Sequence, residues 1–362
     1  MRLLDRHILR ELIGPFVFGV AAFTSLMFAG GELFKITELV AEFHASLFTA
    51  GKLVFLYLPS VIAMTLPMSM LVATLIGFGR LSGDSEVVAL FASGISLRRI
   101  AIPGIIMSIF VTCGSFVLSE VVAPGASTEH DRIVKELRHD VNTGKTQIAG
   151  HDIANGETQS VYYINGGVDS ARGVARDVFL VRYVKNKPFA FIYGKEARWS
   201  GEEHPDEWSF RDGYVNNLGA SPYVTLFRED AFTIKKTPQQ LALYEKKPEE
   251  MSFDQLRHYI RMLQQSGEDT AMYRVRLYQK IALPIASLVF ALIGTPLGLR
   301  PQRSSSAMGL GLSIVIIFLY WVLTHYMSIL GENGTMSPAA ASFIPTLAGV
   351  AAGAILIMRA TK

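Results

Sequence analysis

The sequence predicts an α-helical membrane protein of six transmembrane helices, three before and three after an inserted all-β domain. Three observations carry this. Half of the 362 residues are hydrophobic and only 18% are charged, with a mean hydropathy of +0.31, too apolar for an ordinary soluble chain. Six apolar runs approach the roughly 20 residues a helix needs to cross hydrocarbon: Leu12 to Gly31, Leu53 to Phe78, Ile100 to Ser119, Ile281 to Leu299, Ala307 to Leu330 and Pro338 to Met358. Between the third and the fourth, the composition turns polar at Glu120-Val-Val-Ala-Pro124 and stays so to about Thr270. The divisions are therefore residues 1–123, 124–270 and 271–362.

Taken in order, Met1 to Glu11 places Leu3, Leu4, His7, Ile8 and Leu12 at helical spacing, which suits a helix lying along the inner membrane interface. The first apolar run is followed by Gly-Glu-Leu-Phe-Lys and no small-residue cleavage site, so it is expected to remain as a span. The second carries Pro59 and Pro67, each of which removes a backbone donor and bends a helix. Gly79 to Arg99 then forms a short helix between two spans, with Asp84 or Ser85 capping its start and Gly94 ending it in the left-handed conformation. On it Val87, Leu90, Phe91 and Gly94 share one face. Ala89, Ala92 and Ser93 form a second, so small that another backbone could approach closely. Such a helix reads as a docking element for a partner.

The polar domain opens with an amphipathic segment, Ser127 to Val141. Strand signals follow at Gln159 to Ile164, Asp177 to Val184, Phe189 to Trp199, Glu207 to Val215 and Tyr223 to Ile234, separated by Gly- and Asn-rich turns. This spacing predicts an antiparallel sandwich or open roll. Ser252-Phe-Asp-Gln255 has the form of a capping box, with Leu256, Ile260 and Leu263 on one helical face and Gly267 ending that helix.

The net charge of +3 says less than its distribution. Arg2, Arg6, Arg10, Arg80, Arg98, Arg99, Arg300, Arg303, Arg359 and Lys362 all fall on one side of six alternating spans, whereas the opposite hairpins hold little beyond Lys52. Basic residues in short loops mark the cytoplasmic side. Both termini and the 79–99 segment are therefore expected in the cytoplasm, and the polar domain, preceded by an odd number of spans, in the periplasm.

No catalytic constellation is legible. Gly144-Lys145-Thr146 lacks the glycine a phosphate loop needs five residues earlier, where His139 stands. His130, Asp131, His139 and Asp140 fit no metal-ligand spacing and read as a solvated face. The single Cys113, mid-span, is expected to be a small core side chain. No Gly-x-Ser-x-Gly elbow occurs, and the spans as bounded hold no buried carboxylate for proton coupling. A non-catalytic chain without its own cofactor, nucleotide site or nucleic-acid partner is expected. What remains is cationic: Lys35, Lys52, Arg132, Lys135, Arg274, Arg276 and Lys280 lie at or beyond the outer surface, where they would meet lipid phosphates or simply anchor helices.

In these features the chain resembles the LptF/LptG family of lipopolysaccharide transport permeases along nearly its whole length. The matching pieces are Leu4-Asp5-Arg6-His7-Ile8, Gly79-Arg80-Leu81 with Ser85-Glu86 and Ala92-Ser93-Gly94, Val122-Ala123-Pro124 and Lys280 through Pro284. Gly294-Thr-Pro-Leu-Gly298, Gly309 through Ser313, and Gly331 with Gly334 before Pro338 complete them. Where the family often has a Trp before the last-span Pro and an Asn after it, this chain has Phe343, Pro345 and Thr346. The resemblance implies a periplasmic β-jellyroll-like domain and pairing with a second LptF/LptG-type permease. It also implies an LptB-like cytoplasmic ABC ATPase dimer below, and LptC-like and LptA-like bridge proteins that receive the lipopolysaccharide. The segment at about 82–95 would be the coupling helix, with Asp84, Glu86, Val87, Leu90 and Phe91 meeting the ATPase. Lys35 matches a lipid-facing basic position, and Arg132 and Lys135 match others with an offset of one residue. Two other classes compete: a structural envelope protein that binds partners through its periplasmic domain without an ATPase, and an ion-coupled carrier, which the lack of span carboxylates disfavours.

Overall fold

The computed structural model describes residues 3–43, 45–139, 148–154, 157–170, 172–185, 187–219, 222–244, 247–265, 268–299 and 306–360. In chain order the helices are α1 (Leu3–Gly30), α2 (Glu32–Phe43), α3 (Leu47–Gly83), α4 (Glu86–Ala92), α5 (Leu97–Val117), α6 (Ala123–His139), α7 (Pro238–Tyr244), α8 (Phe253–Gln265), α9 (Ala271–Gly298), α10 (Ser306–Glu332) and α11 (Pro338–Ala360). A π-helical turn, Leu118–Val122, joins α5 to α6. The strands are β1 (Ile148–Ala154), β2 (Glu157–Ile164), β3 (Val168–Asp169), β4 (Val174–Val184), β5 (Lys187–Trp199), β6 (Glu207–Asn217) and β7 (Tyr223–Thr233). The chain forms two compact units, residues 1–134 with 271–362, and residues 135–270.

Among the described residues, the first unit contains six helices long and apolar enough to cross a membrane: Leu3–Gly30, Leu47–Gly83, Leu97–Val134, Ala271–Gly298, Gly309–Glu332 and Pro338–Arg359. Two differ from expectation. The first residues are not a separate interfacial helix but the start of α1, because Ile8 and Leu12 are fully buried against Phe78, Leu81, Val87, Leu97 and Ile100. The third span continues past Ser119, since the π turn accommodates Pro124. The Ala123 N–H donates to the Leu118 carbonyl five residues back, and the proline, which has no N–H, follows directly. Helix α2 was not foreseen; its Ile36 and Leu39, three apart, are its buried face.

Helix α9 crosses α3 and α11 at backbone distance. A Cβ at Gly298 would lie 2.9 Å from the Thr74 carbonyl oxygen and 3.0 Å from the Phe78 Cβ. One at Gly353 would lie 2.7 Å from the Leu292 Cβ and 3.1 Å from its carbonyl carbon. Gly294 and Gly298, and Gly349 and Gly353, are each four apart, the spacing that lets apolar helices approach where no hydrophobic drive acts between them. Hydroxyls join neighbouring helices by donating to carbonyls, Ser115 to Ala63 at 2.9 Å and Ser342 to Val275 at 3.1 Å.

The second unit is one antiparallel sheet in the order β1-β2-β4-β5-β6-β7, with the short β3 paired to β4. Of the two predicted forms this is the open roll. Strands β1 and β3 went unpredicted. Tyr162, Val178, Leu180, Ile192, Trp208 and Phe210 line its inner face together with Leu241 of α7. The edges come together at one end, where the Lys235 N–H beyond β7 donates to Asp152 on β1 (3.3 Å), which also accepts from Ser160 (3.0 Å). Burial holds the neighbouring Lys236 ammonium below the ordinary lysine range, opposed by Asp152 and Glu268.

The alternation of burial breaks along a charged line. Two residues rather than one separate the buried Ala175 and Val178 on β4, and the buried Gly194 and Ala197 on β5. Asp177 and Asp212 take a φ of 51° there. Across it Arg176, Glu196, Arg211 and Glu229 pair in register with alternating sign, and Arg211 bonds Glu229 at 3.2 Å. On the outer face Tyr163, Phe179, Tyr193, Tyr214 and Leu226 form a second cross-strand row, with Phe179 and Tyr193 rings 4.7 Å apart.

Replacing Gly298 or Gly353 by Leu should force α9 away from α3 or α11 and cost about 1–3 kcal/mol, the usual range for overpacking. Thermal unfolding in detergent should show a lowered midpoint for both, while Gly14→Leu, at an open position, should not.

Candidate functional site

The loop helix α4 begins abruptly. Ser85 sits in the left-handed region at φ 62° with no side-chain cap bond, and Asp84 closes α3 by its N–H donating to Arg80 (2.9 Å), so neither side chain makes the expected cap. Its end is as expected. Gly94 takes φ 79°, its N–H donating to Phe91 and that of Ile95 to Leu90, the paired bonds of a Schellman motif.

The faces of α4 divide the predicted apolar set. Val87 is 2% exposed and, with Leu90, packs into the same core as Ile8, Leu12, Leu97 and Ile100. These two residues hold the helix to its own protein. Phe91 is 42% exposed and Val88, passed over in the sequence, 54%; with Ala89, Ala92 and Ser93 they make the open face.

Three ionic contacts tie the start of α1 to this connection. Arg99 reaches Asp5 at 2.6 Å, His7 Nε2 meets Glu86 Oε2 at 2.8 Å, and Arg80 lies 3.5 Å from Glu11. Acidic Asp5 and Glu11 thus meet basic Arg80 and Arg99, while His7 meets acidic Glu86. That complementarity between the first 11 residues and the loop is present in the sequence. Its signal is charge order rather than any motif.

At the other end of the bundle, four of the predicted cations, Lys52, Arg132, Arg276 and Lys280, meet carboxylates, while Arg274 is exposed. Lys52 (3.1 Å) and Arg132 (two bonds, 2.9 and 2.7 Å) share Glu129. Arg276 lies 3.4 Å from Glu332 of α10. Lys280 lies 3.3 Å from Glu120 in the π turn, and both side chains are only 10% exposed. Although Arg276 and Lys280 are four apart on one helix, they turn to different carboxylates. The side chains of Lys35 and Lys135 lie outside the described residues.

Glu120 lies one residue beyond the third apolar run, in the helix that continues to Val134, and its side chain is only 10% exposed. The available signal is a lone carboxylate between Val117-Leu-Ser119 and Val-Val-Ala with no charged neighbour. His130 also departs from a solvated face: it lies 6.1 Å from the Tyr57 ring and its Nδ1 is 3.5 Å from Asp131. The His139 side chain, Asp140 and residues 144–146 lie outside the described residues, as do Arg300, Arg303 and Gly267.

The two units define a class: a multi-pass membrane protein whose six-helix bundle is interrupted by an antiparallel β domain. The chain matches the family described as "Lipopolysaccharide export system permease LptF/LptG" over residues 6–359 and belongs to it. It is 23% identical over 312 residues to the lipopolysaccharide export system permease protein LptG of Escherichia coli strain K12, covering 82% of this chain and 84% of that protein. To the protein of the same description from Haemophilus influenzae it is 22% identical over 360 residues, 95% of each.

Removing one member of the Glu120–Lys280 pair leaves a buried charge alone, at a cost of about 3–5 kcal/mol. Glu120→Ala and Lys280→Ala should each lower the melting midpoint in detergent, and the double variant Glu120→Leu/Lys280→Met should melt closer to the parent than either.

Proposed function

We propose that this chain is a non-catalytic permease subunit of an ABC transporter in the inner membrane, taking lipopolysaccharide from the outer leaflet and passing it to a periplasmic bridge. The observation that carries the coupling is α4. Val87 and Leu90 fasten it to the bundle core, while Glu86, Val88 and Phe91 remain open on its outer side. A connection seated on the core of the spans transmits displacement to them; a loosely tethered loop would not.

In this reading both termini and α4 lie in the cytoplasm and the β domain in the periplasm, as the basic residues at positions 2, 6, 10, 80, 98 and 99 favour. A separate ATPase dimer seats on α4 and supplies the energy. A second LptF/LptG-type permease completes the cavity, and bridge proteins take the lipid onward. The phosphates of the lipid meet the cations of the outer bundle end, competing with Glu129 and Glu332 for Lys52, Arg132 and Arg276, and joined by Lys35 and Lys135. Lys280, already held by Glu120, is more shielded than Lys52, Arg132 or Arg276.

Purified in detergent with the ATPase dimer, the chain should lose association at least about tenfold on Glu86→Lys, which sets a cation where a partner's cation would bind. Phe91→Ala should weaken it as well. Unchanged association in both removes the coupling role of α4. Lys35→Asp should lower photocrosslinking to lipopolysaccharide without altering the melting midpoint; full crosslinking would make Lys35 an anchor.

A further inference from the structure

Glu86 does not stand alone. His7 Nε2 bonds its Oε2 at 2.8 Å across 79 residues of sequence, with both side chains about half exposed (48% and 44%). The other oxygen, Oε1, has no hydrogen bond among the described residues, and the side chain is 44% exposed, so the carboxylate retains acceptor capacity. The end of α1 that carries His7 is itself fixed. Ile8 and Leu12 are fully buried, and the contacts from Asp5 to Arg99 and from Glu11 to Arg80 flank the imidazole on either side. Leu3 and Arg10 share the His7 face of α1 at spacings of four and three, and both are exposed, as is Arg6.

We infer that His7 is a positioning residue for docking: it holds the Glu86 carboxylate in one orientation, so that the partner's cation meets Oε1 already aimed. The inference rests on the coupling role proposed for Glu86. A glutamate on an exposed helix otherwise samples several rotamers, and binding one of them loses that freedom at the moment of association. The bond to a side chain rooted on a different, core-packed helix removes the loss beforehand. The docking surface is thereby composite. It comprises α4 and the first two turns of α1, and its partner is a protein presenting a cation for Glu86, an apolar recess for Val88 and Phe91, and acidic groups for Arg6 and Arg10.

The test is a double-mutant cycle on association with the ATPase dimer, using the full chain in detergent. Glu86→Ala alone examines the underlying reading: if it leaves affinity unchanged, the coupling role fails and the inference with it. If it weakens binding, His7 becomes decisive. His7→Ala should then weaken association about three- to tenfold, the scale of one oriented hydrogen bond. It should have no further effect in the Glu86→Ala background, and His7→Gln, which keeps an N–H donor, should restore most of the affinity. A merely structural histidine would lower the melting midpoint and give additive losses. Additive losses, or tighter binding by His7→Ala, overturn the inference while leaving the role of Glu86 intact.

Discussion

The helical unit depends on the close approach of α9 to two neighbours. Between apolar helices in lipid there is no water to expel, so association rests on van der Waals contact and backbone proximity. Gly294 and Gly298 admit α3, while Gly349 and Gly353 on α11 admit α9. With the glycines in place, Thr74 and Thr295 turn their hydroxyls back to carbonyls of their own helices, which leaves the crossing surfaces apolar.

On that frame the charged groups collect at the two ends and do different work. At the end that holds α4, charges on the first turns of α1 are matched to the α3–α4–α5 connection, and Val87, buried, and Leu90, partly buried, pack it onto the core. At the opposite end, Glu120 lies where the helix widens into a π turn ahead of Pro124, and Lys280 reaches it from α9. A buried ion pair adds little net stability because desolvation offsets its attraction, but it penalises any arrangement that separates the charges. The pair therefore fixes how the third span sits on α9.

What the sequence reveals and what it hides follow from the range of the interactions. The six spans and five of the strands are read from local composition, and Gly94 as a helix stop from its lack of a side chain. The missed elements are those whose formation depends on distant partners. Strand β1 forms against β2, α2 needs Ile36 and Leu39 to be covered, and the helix through Pro124 needs a π turn that no composition announces. The capping role given to Asp84 or Ser85 failed: Ser85 takes the left-handed conformation with no side-chain cap bond, and Asp84 closes α3 through its own N–H instead. The break in the burial alternation of the sheet coincides with Arg-Asp, Lys-Glu, Arg-Asp and Arg-Glu pairs on four strands, which are present in the sequence. The candidate docking residues were half legible. Periodicity placed Val87, Leu90 and Phe91 on one face, but only the packing of α1 shows that the first two point inward and that His7 reaches Glu86.

Energy transfer from a cytoplasmic ATPase to lipid export is the central claim, and reconstitution addresses it most directly. The chain, a second LptF/LptG-type permease and the proposed ATPase dimer are placed in liposomes loaded with lipopolysaccharide, and transfer of the lipid to a soluble acceptor is followed over time. Transfer that requires ATP, stops with a hydrolysis-deficient ATPase and falls with Glu86→Lys is the predicted result. Transfer at the same rate without ATP, or none despite active hydrolysis, would contradict it.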